Sequence, residues 1–124
     1  MALYVLMYAR DDVATTDHWQ QLPSGTHVEA AVDGFRMLAD PTRFRMLWLL
    51  CGGEYDVTTL AAEVGIARPA VSQHLAKLRL TGLVTVRRDG RRALYEARGG
   101  HVRRLLFEAV NAADHHLTGK PDHD

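Results

Sequence analysis

A mainly α-helical chain carrying one β-hairpin is the fold class this sequence predicts, from three observations. Apolar residues recur at helical spacing in five separate segments, and one β-forming segment turns at Asp89-Gly90. Pro41, Gly65, Pro69, Gly82 and Gly99 punctuate the chain between these segments. The 124 residues are one domain's worth, with the 47% apolar and 24% charged content of an ordinary soluble globular chain.

The opening MALYVLMYA is apolar but lacks a basic leader and is too short to cross a bilayer, so no membrane span is expected. RDDVATTDHWQQLPSG is polar and unperiodic, and residues 1–26 read as an N-terminal extension. From His27, Val28, Ala31, Val32, Phe35, Met37 and Leu38 predict a first helix to about Ala39. Asp40-Pro41 restarts the chain: Asp40 accepts from free amides of the next turn and Pro41 suits a first helical position. This second helix runs to about Leu50 and ends at Gly52-Gly53, with Cys51 expected as a buried thiol. As Cys51 is the only cysteine, no internal disulfide is available, which fits a reducing, cytoplasmic location.

TTLAAEVG carries Leu60, Ala61 and Val64 on one stripe and stops at Gly65, a short third helix. After Ile66-Ala67-Arg68, PAVSQHLAKLRLTG restarts at Pro69 with Val71, Leu75, Leu78 and Leu80 apolar and Gly82 as terminator. Two short helices joined this tightly make a helix-turn-helix. LVTVRRDGRRALYEA then changes period, and Asp89-Gly90 is a favoured pair for a tight hairpin turn. Gly99-Gly100 breaks the chain before a fifth helix with Val102, Leu105, Leu106, Ala109, Val110 and Ala113 on one face, leaving residues 117–124 as a tail. A helix-turn-helix followed at once by a hairpin is a winged helix, here expected over residues 27–116.

Net charge is formally zero, but from Arg68 to Arg104 there are ten Lys/Arg against two acids, Asp89 and Glu96. A basic block of this kind is the footprint of a polyanion partner, a solvated charged surface being the plain alternative. The exposed face of the fourth helix offers Ser72, Gln73, His74 and Lys77 to base edges or phosphates, flanked by Arg68 and Arg79. Arg87, Arg88, Arg91 and Arg92 surround the wing turn, where long cations reach phosphates or a narrow minor groove of double-stranded DNA.

The order FRMLADPTRFRMLWLL, then VTTLAAEVGIARPAVSQHLAKLRLTGLVTVRRDGRRALYEA, resembles the ArsR/SmtB family of dimeric metal-responsive bacterial repressors over about Val28 to His116. The resemblance implies a winged-helix homodimer built through the first and fifth helices. It also implies binding to an inverted-repeat operator and release when an inducer binds. One family site uses a C-V-C pattern at the third helix, where this chain has Asp56-Val57-Thr58, so soft metals lose their ligands. The family's zinc pattern on the fifth helix is half missing, since Gly99 and Ala112 stand at ligand positions. The remainder looks most like the KmtR-like nickel/cobalt-sensing branch, with His101, Asp114, His115 and His123 at matching positions and His116 as an extra candidate. Asp114 stands where that branch has Glu.

Helical geometry bears on this set independently. His101 and His115 are separated by about 21 Å along a helix at about 1.5 Å per residue, whereas donor bonds are about 2 Å long. One chain therefore cannot bring both to one ion. His101, Glu108 and His115 share a face, so antiparallel helices from two subunits could pair His101 of one with Asp114 and His115 of the other, giving two symmetry-related sites. Mixed imidazole and carboxylate donors suit Ni(II) or Co(II) better than Zn(II). His18 and His27 are weaker candidates on the N-terminal segment. The plain reading of each histidine is a polar residue near a helix end. An alternative function is a winged-helix regulator answering Zn(II), a small molecule or a partner protein. No HExxH spacing, nucleophile-base pattern or phosphate loop supports an enzyme.

Overall fold

The computed structural model describes residue 19 and residues 21–119. They fall into two compact units, one of Pro23–Gly99 and one that, among the described residues, holds Trp19, Gln21, Leu22 and residues 100–119. The opening MALYVLMYA, His18 and His123 lie outside the described residues.

The first unit contains α1 (Gly25–Leu38), α2 (Pro41–Gly52), α3 (Val57–Val64), α4 (Arg68–Leu80), β1 (Val84–Asp89) and β2 (Arg92–Ala97). This is the expected winged helix-turn-helix, and its caps explain where each helix begins. Ser24 accepts from the His27 amide (3.2 Å), so α1 starts two residues before the His27 boundary read from periodicity alone. Asp40 accepts from the Arg43 amide at 2.8 Å and sets the start of α2 as expected. The Arg43 side chain reaches back and donates to the Met37 and Arg36 carbonyls (2.8 and 3.2 Å), closing the end of α1. Asp56 caps α3 through the Thr59 amide (2.8 Å), and Gly65, at φ +74, ends it in the left-handed region that glycine adopts freely.

α2 packs on α3 and β2, α3 on α4, and α4 on β1. The core of this unit is Met46, Leu47 and Leu50 of α2, Leu60 and Ala61 of α3, Val71, Leu75 and Leu78 of α4, and Val84 and Leu94 of the hairpin. Leu80, read with the apolar stripe of α4, is instead 88% exposed. At about 100° per residue it lies roughly opposite the Val71, Leu75 and Leu78 face. Cys51, expected buried, is half-buried in the last turn of α2.

β1 and β2 pair antiparallel with Asp89 opposite Arg92, so the two-residue loop is Gly90-Arg91. The Asp89-Gly90 expectation is thus shifted by one residue: Gly90 takes the first loop position at φ +64, where tight hairpins require positive φ. Tyr55 adds an isolated antiparallel bridge to Tyr95, with reciprocal backbone bonds of 2.9 and 2.8 Å.

The second unit is chiefly α5 (Gly99–Thr118), 20 residues long, which starts earlier and ends later than the periodic pattern indicated. Val102 and Leu106, one turn apart, are its buried residues, and Gly119 follows its end at φ +72. No helix among the described residues is long and apolar enough to cross a membrane.

Candidate functional site

The burial of Val71, Leu75 and Leu78 turns the opposite side of α4 outward, and Arg68, Ser72, Gln73, Lys77 and Arg79 are all exposed. Arg68 donates to the Thr58 hydroxyl at 3.4 Å, which joins the entry of α4 to the first turn of α3. Ser72, Ala76, Arg79 and Leu80 line an open cleft of about 650 Å³ with Tyr95 of β2, so the reading face of α4 and the wing border the same space.

His74 departs from the sequence expectation. It is half-buried rather than on the open face, and its Nδ1 is buried without a hydrogen-bond partner. Seen down α4, His74 lies roughly 65° from the centre of the buried face, while Gln73 and Lys77 lie well away from it.

The four wing arginines also separate. Arg87 makes a two-point contact to Glu54, Nε to Oε2 at 2.6 Å and Nη2 to Oε1 at 2.8 Å. Arg92 Nε donates to Asp56 Oδ2 at 3.1 Å, while the other oxygen of Asp56 caps α3. Arg88 and Arg91 are exposed and in no ion pair among the described residues, Arg88 reaching only the Arg91 carbonyl at 3.4 Å. Glu54 went unread in the sequence, and Asp56 was read only as standing where the family has a cysteine. Their signal, acids at alternate positions before the third helix, needed partners 33 and 36 residues away.

The same contacts perturb the acids. The Arg87 hydrogen bonds hold Glu54 below the usual carboxylate range. The Thr59 amide does so for Asp56, with Arg92 adding to it, and the Arg43 amide does so for Asp40. A carboxylate depressed in the folded state is protonated first in the unfolded chain as pH falls. These groups therefore contribute stability above the ordinary carboxylate range, and it is lost as pH drops through their folded values. We expect the melting temperature to fall on acidification into that range, with a shallower fall for Asp56→Asn; an identical acid limb in the two proteins counts against the cap.

The sensing candidates lie on α5. His101 is exposed and its Nδ1 accepts from Arg104 Nη2 at 3.0 Å. Asp114 and His116 are exposed and His115 is half-buried. Among the described residues, no three or more His, Cys, Asp or Glu side chains of the single chain gather as a metal site. The donors that α5 does supply, imidazole nitrogen and carboxylate oxygen, are of the kind that borderline divalent ions take. Glu108, between them, is exposed, and His27 engages the Ser24 hydroxyl at 2.6 Å at the start of α1.

Two further surfaces bear on assembly. α1 buries none of its residues and presents Val28, Val32 and Phe35 at 45, 39 and 57% exposure, one turn after another. α5 exposes Phe107, Val110 and Leu117.

Comparison with known proteins matches residues 40–86 to a family described as bacterial regulatory protein, arsR family. Over 92 residues the chain is 50% identical to the HTH-type transcriptional regulator KmtR of Mycobacterium tuberculosis, covering 74% of this chain and 71% of that protein. It is 37% identical to a probable mercury resistance operon repressor of Streptomyces lividans, covering 68% of this chain and 67% of the other. Among solved structures, the homodimeric winged helix-turn-helix DNA-binding domain of a possible ArsR-family regulator from Mycobacterium bovis is similar at a TM-score of 0.72. That match has 30% identity and covers 82% of this chain and 97% of the other.

Proposed function

Because the chain belongs to the ArsR family of bacterial regulatory proteins, we propose that it is a homodimeric, metal-responsive repressor released from operator DNA by Ni(II) or Co(II). It is a transcriptional regulator and not an enzyme. The observation that carries the sensing half is the placement of His101 at one end of α5 and of Asp114, His115 and His116 at the other. A single chain cannot unite these half-sets, and a two-fold dimer can.

In this reading α4 enters the major groove of double-stranded DNA with Ser72, Gln73 and Lys77 toward base edges or phosphates, and Arg68, Arg79 and the wing hold the backbone. The dimer forms through the apolar faces of α1 and α5, whose exposure in one chain supports the assignment. It matches an inverted-repeat operator. His101 of one subunit, with Asp114 and His115 of the other, holds the ion, and His116 and the tail's His123 complete the donor set. Six-coordinate Ni(II) and Co(II) accept such mixed donors more readily than four-coordinate Zn(II). Ligation across the dimer changes the spacing of the two reading helices, and a coupling of about 1–3 kcal/mol lowers DNA affinity about 5–150-fold. The relative from Streptomyces lividans named for mercury resistance supports metal as the class of signal.

The test is DNA affinity, measured on a duplex that the protein selects from a random library, with and without each metal. Ni(II) or Co(II) is expected to weaken binding about 5- to 150-fold in the wild type and to have no effect on His115→Ala. Unchanged wild-type affinity with both metals removes the sensing reading, and a response to Zn(II) alone replaces the ion.

A further inference from the structure

The geometry points to a division of labour in the wing: Arg87 and Arg92 are positioning residues that lock the hairpin to the segment Glu54-Tyr55-Asp56, while Arg88 and Arg91 grip phosphate. The inference rests on the DNA-binding reading of the wing and deepens it by naming which cations touch DNA and which do not.

Strand alternation produces the split. Arg87 lies across from Leu94, and Arg92 is two residues from Leu94, so these three share one face of the hairpin. Arg88 lies across from Ala93, and Val86 across from Tyr95, so Arg88 is on the other face with Tyr95. Tyr95 lines the cleft with Ser72, Ala76 and Arg79 of the reading helix, which puts Arg88 on the DNA side. The Tyr55 bridge applies the same alternation to the preceding loop. Because Tyr55 is opposite Tyr95, its neighbours Glu54 and Asp56 belong to the face of Leu94 and Arg92.

The two acids then meet the two arginines of that face, Glu54 with Arg87 at two points and Asp56 with Arg92. Three consecutive residues thereby hold the wing, one through its backbone and two through carboxylates. Asp56 adds a mechanical link, since one oxygen caps α3 at Thr59 and the other binds Arg92. That single carboxylate therefore ties the wing to the first turn of α3. A guanidinium already paired on two nitrogens has little left to offer a phosphate on the far side of the sheet.

The experiment measures the salt dependence of binding to a fluorescein-labelled mixed-sequence duplex, together with amide exchange at Tyr95, whose N–H binds the Tyr55 carbonyl. Arg88→Ala and Arg91→Ala are expected to lower the salt slope by about 0.9 for each phosphate left without its cation, and to leave Tyr95 exchange as it is. Arg87→Ala and Glu54→Gln are expected to speed Tyr95 exchange and weaken binding alike, with the slope unchanged, and the double variant to lose no more than either single. The charge swap Arg87→Glu with Glu54→Arg is expected to restore both protection and affinity. If Arg87→Ala flattens the slope as Arg88→Ala does, or if the swap binds worse than either single, Arg87 is a phosphate contact and the anchor is overturned. Should the wild type not bind the duplex at all, the DNA-binding reading fails, and exchange at Tyr95 in the swap still decides whether the pair holds the wing.

Discussion

Mixing a His101→Ala chain with a His115→Ala chain is expected to return the metal response that each variant loses as a homodimer. If each site takes His101 from one subunit and Asp114 with His115 from the other, either substitution strips an imidazole from both sites of its homodimer. In the mixed dimer both losses fall on one site, and the second keeps a complete set. Titration of the mixed dimer with Co(II), followed through the visible absorption of the bound ion, should show one strong site per dimer against two in the wild type. DNA release should recover in part. A site assembled within one chain has no such complementation, so a mixed dimer as unresponsive as its parents eliminates the shared site. The roughly 21 Å between His101 and His115 along α5 is what makes this contrast sharp.

Phe35→Glu is expected to abolish tight operator binding without touching a residue near the DNA. Val28, Val32 and Phe35 form a stripe on a helix that buries nothing in the single chain, and if that stripe packs against the partner subunit, as proposed, a carboxylate within it would be desolvated without a partner. The protein should elute as a monomer. Each monomer keeps one reading head, and loss of the second removes the gain from joined binding, about 10²- to 10⁴-fold in affinity. Weak, salt-sensitive binding to mixed-sequence DNA should persist because α4 and the wing are intact. A Phe35→Glu protein that remains dimeric with wild-type affinity places the interface elsewhere than α1.

Much of the architecture was legible because it is locally encoded. Asp40-Pro41 starts α2, Gly65 ends α3, and the change of period after Gly82 marks the hairpin; each signal acts within one or two turns of chain. The candidate site was legible as residue types. Arg68, Ser72, Gln73, Lys77 and Arg79 are exposed as expected, since positions around Val71, Leu75 and Leu78 follow from helical phase. The errors are of phase and register. Leu80 continues an apolar pattern by composition but not by angle, and the hairpin loop slid by one residue because cross-strand pairing, not the favoured dipeptide, decides which residues are central.

The sequence by itself determined the element order, the concentration of positive charge on the helix-turn-helix and wing, and the impossibility of one chain closing a metal site between His101 and His115. All three depend on spacing along the chain, which is invariant. Only the tertiary structure decided that His74 is half-buried with an unpartnered Nδ1, and that Arg87 and Arg92 are committed to Glu54 and Asp56 while Arg88 and Arg91 stay open. Identical side chains in one basic run acquire different roles because a strand sends neighbours to opposite faces, and an acid from a distant loop reaches only one of them.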